Sequence, residues 1–203
     1  MNTTKTIIAL VGTYRKGGVI DTAVDIMLEA ARDEGAQTTK IYLKDEDIAF
    51  CTNCRTCTQE PRELRSACVL QDNMSNLLDA IEQADAIILA SPMNFGTVTA
   101  VTKRFIERLV CYAYWPWGKG APRIRTGKKD KRGVIVITTA APAIMARPFS
   151  GMAGLMKKTM TLLGAGKSDM LFIGLAAMRK DAYLSPRIQR KAKALGKKLA
   201  ANK

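Results

Sequence analysis

The sequence predicts an α/β fold in which a doubly wound, five-stranded parallel sheet forms the middle of a three-layer α/β/α sandwich. Three observations carry that expectation. Strand-like apolar runs alternate with amphipathic, helix-like segments along the chain. The apolar runs fall well short of the ~18–20 residues that a membrane-spanning helix requires. With 203 residues, 47% of them hydrophobic and 25% charged, the chain suits one domain over 1–203 that buries its core without staples.

The elements follow in order. Thr6 to Val11 reads as a buried strand ending at Gly12. From Asp21 to Ala31, Val24, Met27, Leu28 and Ala31 recur with helical spacing, and Gly35 is placed to stop that helix. Thr38 to Leu43 is a second strand. After a cysteine-bearing loop, Asp72 or Asn73 caps a helix with the apolar face Met74, Leu77, Leu78 and Ile81. Ala86 to Ala90 is a third strand closed by Ser91-Pro92, and a helix carrying Val101, Phe105 and Leu109 follows. Gly133 to Thr138 is the fourth strand and Met170 to Ile173 the fifth. The last helix starts at Ser185-Pro186, a cap followed by a first-turn proline, and buries Ile188, Ala192, Leu195 and Leu199.

Charge narrows the function once it is located. The formal net charge is +14, and it concentrates in 119–132 and 179–203, which hold +6 and +8; the rest of the chain sums to zero. Such stretches suit an anionic partner. Few aromatics beyond Tyr112, Tyr114, Trp115 and Trp117 are available to stack bases, and no nucleic-acid-binding signature is present, so nucleic-acid binding is disfavoured. The chain has no histidine. Acid–base chemistry near neutral pH has lost its usual residue, which favours a bound cofactor as the source of reactivity. The N-terminus shows no signal-peptide pattern, so the cytoplasm is the expected compartment.

In doubly wound sheets, ligands sit beyond the carboxyl ends of the strands where the strand order reverses. Three loops therefore draw the search. The first, Gly12-Thr13-Tyr14-Arg15-Lys16-Gly17-Gly18-Val19-Ile20-Asp21, leads from a strand into a helix N-terminus. Its amides, the helix dipole, Thr13, Arg15 and Lys16 suit an anion. It matches neither Gly-x-Gly-x-x-Gly nor a P-loop, which favours a monophosphate over a pyrophosphate or triphosphate. An ordinary Gly-containing turn is the alternative from this loop alone. The second and third, Ser91 to Thr97 and Thr138 to Pro142, offer Met93, Phe95, Asn94 and a Thr-rich turn to a flat heteroaromatic ring.

Taken together these segments resemble the NAD(P)H-dependent FMN reductases and flavodoxin-like oxidoreductases. The resemblance rests on residues 12–18, on Cys51-x-x-Cys54-x-x-Cys57 with Cys68 ahead of Gln71-Asp72-Asn73-Met74, on 84–92, and on Lys103 to Arg108. It implies a flavodoxin-like fold and a cytoplasmic oxidoreductase that passes electrons from NADH or NADPH through FMN to a small acceptor such as a flavin or quinone. It further implies Thr13, Arg15, Gly18, Val19 and Ile20 at the FMN phosphate. Pro92, Met93, Asn94, Phe95 and Gly96 would lie on one side of the ring, and Thr138, Thr139, Ala140 and Ala141 on the other. No side-chain acid or base is demanded of such a reaction. Val19-Ile20 stands where the family usually has Asn-Thr, and Asn94 where it often has Tyr. Basic groups of 119–132 are expected to steer the nicotinamide phosphates. The Tyr112–Trp117 aromatics are expected to shield the flavin or to lie in the interface of a homodimer or homotetramer.

The cysteines leave several readings open. Cys51, Cys54 and Cys57 at intervals of three resemble the opening of a ferredoxin cluster loop, with Cys68 as a fourth thiolate for a [4Fe-4S] cluster. The family includes iron–sulfur flavoproteins with a compact run of four cysteines, whereas ten residues separate Cys57 from Cys68 here. A four-thiolate zinc site, redox thiols activated by Arg55, Arg62 and Arg65, and an inert loop are the alternatives. Cys111 reads as a small core residue. An iron–sulfur electron carrier is thus the rival function, and a binding module that has lost its flavin is the rival from another class.

Overall fold

The computed structural model describes residues 4–125, 127, 130–149 and 151–201. Lys128, Lys129 and Lys203 of the two basic stretches lie outside them. The elements are β1 (Thr6–Val11), α1 (Val19–Asp33), β2 (Gln37–Tyr42), α2 (Met74–Gln83), β3 (Ala86–Pro92), α3 (Ala100–Arg108), β4 (Ala113–Tyr114), β5 (Arg123–Ile124), β6 (Arg132–Thr138), α4 (Ala143–Phe149), α5 (Met152–Leu162), β7 (Lys167–Ile173) and α6 (Pro186–Ala200). Single 3₁₀ turns cover Thr56–Thr58 and Leu109–Tyr112.

The main sheet has the order β2-β1-β3-β6-β7 and is parallel throughout. This is the flavodoxin-like arrangement, and its order reverses between β1 and β3, so the loops leaving those strands flank a crevice. β4 and β5 form a separate antiparallel pair that the sequence reading did not foresee.

Period-two alternation assigns each strand residue to a layer. Ile8 and Leu10 of β1, Ile87 and Leu89 of β3, and Ile135 and Ile137 of β6 face a core completed by α2, α3 and α5, with Phe105 and Leu78 at its centre. Ile7, Ala9, Val11, Ile88, Ala90, Val134 and Val136 face the other way, against Ala23, Val24 and Met27 of α1 and Ala192, Leu195 and Leu199 of α6. The central strands are therefore apolar on both faces, as buried parallel strands read.

Local chemistry sets the ends. Ser185 caps α6, its hydroxyl accepting from the Ile188 amide at 3.4 Å with Pro186 following; such a cap contributes ~1 kcal/mol. Asp72 serves the start of α2, accepting from the Met74 amide at 3.0 Å. Thr99 caps α3, and its hydroxyl also donates to the Gly12 carbonyl at 2.6 Å, tying the loop after β1 to that after β3. Close approach at this junction explains Gly12. A Cβ there would lie 1.7 Å from Thr102 Oγ1.

Candidate functional site

At the carboxyl ends of the strands, a cleft of about 230 Å³ opens between the loops that follow β1, β3, β6 and β7. Thr13, Arg15, Gly18, Val19 and Ile20 line it from the first loop, Pro92, Met93 and Asn94 from the second, and Thr138, Thr139 and Ala140 from the third. Eleven of the fourteen residues named from the sequence thus meet in one place. Phe95, Gly96 and Ala141 are outside the lining. Asn94 and Thr97 bond each other's main chains at 2.9 and 3.1 Å, closing a tight turn with Phe95 and Gly96 at φ 48° and 79°. The turn leaves Phe95 fully exposed instead of laying it against the cleft wall. Ala141 acts as a strut, its carbonyl accepting from the Leu175 amide at 3.1 Å.

Main-chain bonds set the loops against each other. Met93 donates to the Thr138 carbonyl at 2.7 Å, and Thr139 and Ala176 bridge the third loop to the chain after β7 at 2.9 Å each. Thr13, buried, accepts from the Arg15 amide at 3.3 Å, and Arg15 Nη2 reaches across to the Lys180 carbonyl at 2.8 Å. The fourth wall, Ala176, Ala177, Arg179, Asp181 and Ala182, was missed from sequence. Its only signal was its place after the carboxyl end of β7, because it has neither a glycine-rich nor a threonine-rich pattern. At the mouth Arg179 pairs with Asp181 at 3.0 Å and lies 4.9 Å over the Tyr183 ring.

The residues present fit FMN. Gly18 caps α1 without a side-chain bond, and the first helical amide with a partner is Thr22, which donates to the Gly18 carbonyl at 2.9 Å. The amides of Val19, Ile20 and Asp21 therefore stand before the first intrahelical bond, the arrangement that receives a phosphate. Val19 and Ile20 supply no side-chain donor, leaving recognition to the main chain and Arg15. Pro92-Met93 and the Thr138–Ala140 turn provide walls for a planar ring.

A second cavity, of about 610 Å³, lies at the opposite, amino end of the sheet. It is larger but its cations are already engaged. Lys5 pairs with Asp85, Arg65 with Asp79 and Glu82, and the Lys131 ammonium donates to the Glu82 and Ala84 carbonyls. For Lys131 and Arg132 this placement departs from the expectation for 119–132: both sit at the sheet's amino end, away from the cleft, and Arg132 donates to the Lys198 carbonyl. Arg125 is buried. Its guanidinium donates to the carbonyls of Cys57, Glu60, Arg62 and Cys111, at 2.8 to 3.2 Å.

Arg125 is thus the hub around which the cysteine loop winds. Trp115 and Trp117 flank the Arg55 guanidinium at 3.8 and 4.2 Å, so these aromatics pack on the cysteine loop and do not line the cleft. Arg62 pairs with Glu60 and Arg65 with Asp79 and Glu82; the cation beside Cys68 is instead Arg108, buried and paired with Asp72. Cys57 and Cys111 are buried, Cys51 and Cys68 half-buried, and Cys54 exposed; none is in a disulfide. Burial, with Cys68, Cys51 and Cys54 nearby, pushes the Cys57 thiol up, and burial pushes Cys111 to about 12. The Thr56 hydroxyl draws the Cys54 thiol below its ordinary value. Among the described residues, no three Cys, Asp or Glu side chains are gathered around the position of a single metal ion. Cys111 is a core residue, as expected.

The parallel sheet, its order and a cleft at the point of reversal define a flavodoxin-like α/β protein. Residues 6–143 match the family model described as NADPH-dependent FMN reductase, and the chain belongs to that family. It is similar to an iron–sulfur flavoprotein of Archaeoglobus fulgidus, with 34% identity over 113 residues, covering 56% of this chain and 49% of that protein. An iron–sulfur flavoprotein of Methanosarcina thermophila is 29% identical over 99 residues, covering 49% of each. The chain spans about half the length of these curated relatives. Among solved structures, an NAD(P)H:quinone oxidoreductase from Methanothermobacter marburgensis superposes with a TM-score of 0.73 at 16% identity, covering 97% of this chain and 100% of that one. An FMN-dependent NADH-azoreductase from Bacillus anthracis, in complex with FMN, gives 0.70 at 12% identity, covering 98% and 100%. At these identities the structures speak for the fold alone.

Proposed function

We propose that the cleft binds FMN and that the protein is an NAD(P)H-dependent flavin oxidoreductase serving a small acceptor such as a flavin or quinone. One observation carries the proposal: the unpaired amides at the start of α1 open into a cleft walled by the loops after β1, β3 and β6. Bound FMN supplies a ring that takes hydride from a reduced nicotinamide and yields electrons to an acceptor. The main chain of Gly18 to Ile20 and the Arg15 guanidinium hold the phosphate. Pro92 to Asn94 and Thr138 to Ala140 fix the ring between them, which orients it and keeps water from its buried side. Arg179, exposed at the mouth beside Asp181, is a cation placed to meet the nucleotide's phosphates in exchange for that exposed partner. Phe95, Ile144, Met145, Leu175 and Met178 are exposed on segments that follow the strands' carboxyl ends, which supports a homodimer or homotetramer closing over this rim. No helix among the described residues is long and apolar enough to cross a membrane, and the cytoplasm is the proposed site of action.

The test is a titration of the full chain with FMN, followed by NADH or NADPH oxidation with a quinone acceptor. Stoichiometric binding with a flavin spectrum and nucleotide-dependent turnover are expected; failure to bind FMN ends the proposal. A second reading, an electron carrier with a [4Fe-4S] cluster on Cys51, Cys54, Cys57 and Cys68, is supported by the spacing of these cysteines and by the names of the relatives. Iron and acid-labile sulfide measured on anaerobically purified protein decide it, since about four of each per chain are required.

A further inference from the structure

The anion-facing loop is shaped from behind by a buried carboxylate. Asp21, in the first turn of α1, is 2% exposed and does not line the cleft. Its Oδ2 accepts from the Gly17 amide at 2.6 Å. Its Oδ1 accepts from Lys40 Nζ at 2.8 Å, and the Tyr42 hydroxyl lies 2.9 and 3.0 Å from the two oxygens. Lys40 and Tyr42 stand two apart on β2 and so share one face of the strand. Lys40 also reaches Asp25 at 2.6 Å.

A carboxylate one turn from a phosphate cradle is expected to repel the phosphate. Here its charge is met by Lys40, and its oxygens are spent on Lys40, Tyr42 and the Gly17 amide. The bond to Gly17 fixes the corner at φ +71°, a conformation that glycine adopts at no steric cost. Gly18, Val19 and Ile20, which follow that corner, line the cleft. Because Val19 and Ile20 bring no polar side chain, selection of a phosphate depends on Arg15 and on the shape of the main chain. Whatever fixes that shape sets the selection.

The geometry assigns to Asp21, clamped by Lys40 and Tyr42 and bonded to the Gly17 amide, the role of the positioning residue that makes the cleft select a phosphorylated flavin over the unphosphorylated one. The inference rests on the proposed FMN site. Dissociation constants of FMN and riboflavin, measured by flavin fluorescence on the flavin-stripped full chain, test both and keep them apart: a wild-type chain that binds neither flavin refutes the FMN site itself. With FMN bound by the wild type, Asp21→Ala is expected to weaken FMN about tenfold, the range of one strong hydrogen bond, and to change riboflavin less than about twofold. Asp21→Asn keeps an oxygen for the Gly17 amide and restores FMN to within about threefold of wild type. Tighter FMN binding by Asp21→Ala means that the carboxylate acts only as a repelling charge, and parallel losses for both flavins mean a merely structural role; either overturns the assignment. Should Asp21→Ala fail to fold, Tyr42→Phe removes bonds to the same carboxylate and is expected to weaken FMN about threefold with riboflavin unmoved. Equal effects on the two flavins, or none on FMN, overturn it there too.

Discussion

Gly12→Ala probes the junction on which the cleft depends. The added methyl lies 1.7 Å from Thr102 Oγ1, 3.1 Å from Thr102 Cβ and 3.3 Å from Thr99 Oγ1. Both threonines are buried, share a 2.8 Å hydrogen bond, and have no solvent-facing direction in which to yield. Overfilling a packed site costs about 1–3 kcal/mol, and an overlap this deep belongs near the top, at about 3. Thr102→Ala alone loses one buried hydrogen bond and costs about 1 kcal/mol. In the double variant the deep overlap vanishes, leaving the 3.1 Å approach to the Cβ at position 102 and the 3.3 Å approach to Thr99 Oγ1. Its cost is therefore about 2 kcal/mol, against about 4 for independent changes, a favourable coupling of about 2. Urea denaturation of the four proteins measures the cycle, and in melting temperature Gly12→Ala amounts to a fall of roughly 6–12 °C. The same order is expected in FMN affinity, because Gly12 joins β1 to the anion loop. Strictly additive stabilities would refute the reasoning.

Further outcomes follow from the charged groups. Arg125→Met strips four carbonyls of their donor and is expected to destabilise by about 3 kcal/mol, with faster amide exchange in 57–62 and unchanged FMN affinity; slow exchange there would count against a hub role. Burial pushes the Asp72 carboxyl up, but the Arg108 guanidinium and the Ala49 and Met74 amides outweigh it, leaving it below the usual range. Such a group contributes stability above its unfolded pKa of about 4 and loses it as pH falls through the folded value. Asp72→Asn is then less stable than wild type by about 3 kcal/mol at pH 7, with the gap closing toward pH 3; a gap that stays constant in urea midpoints would tell against the pair. Lys131→Ala/Arg132→Ala is expected to leave KM for the nicotinamide nucleotide within about twofold of wild type while Arg179→Ala raises it several-fold, since steady-state kinetics sense only cations near the mouth.

How much of this was legible in the sequence depended on how local each cause is. β1 was read to the residue because an unbroken apolar run meets Gly12, and both signals lie within the segment. α5 escaped although Met152, Met156, Thr159 and Met160 share a buried face, because Pro148, Gly151 and Gly154 punctuate the stretch and packing on the sheet overrides their propensity. The cleft loops were found by a rule about strand ends, which needs only the element order. That rule also covers the loop after β7, but this segment carries no motif, and hydrogen bonds such as Arg15 to Lys180 do not require one. Asp21 was read as part of a helix start because its meaning lies 19 and 21 residues away, on the face of β2 that parallel pairing brings alongside. Arg125, within the basic stretch, misleads for the same reason in sharper form. A cation whose acceptors are carboxylates leaves a charge pattern to read, but Arg125 is satisfied by four main-chain carbonyls, which every residue type carries. In composition it counts as surplus positive charge seeking an anion, while in the fold that charge is already spent inside a loop. A run of lysines and arginines therefore bounds the positive surface from above, and the fraction that faces a ligand is set by how many neighbouring carbonyls the strands and helices leave unpaired.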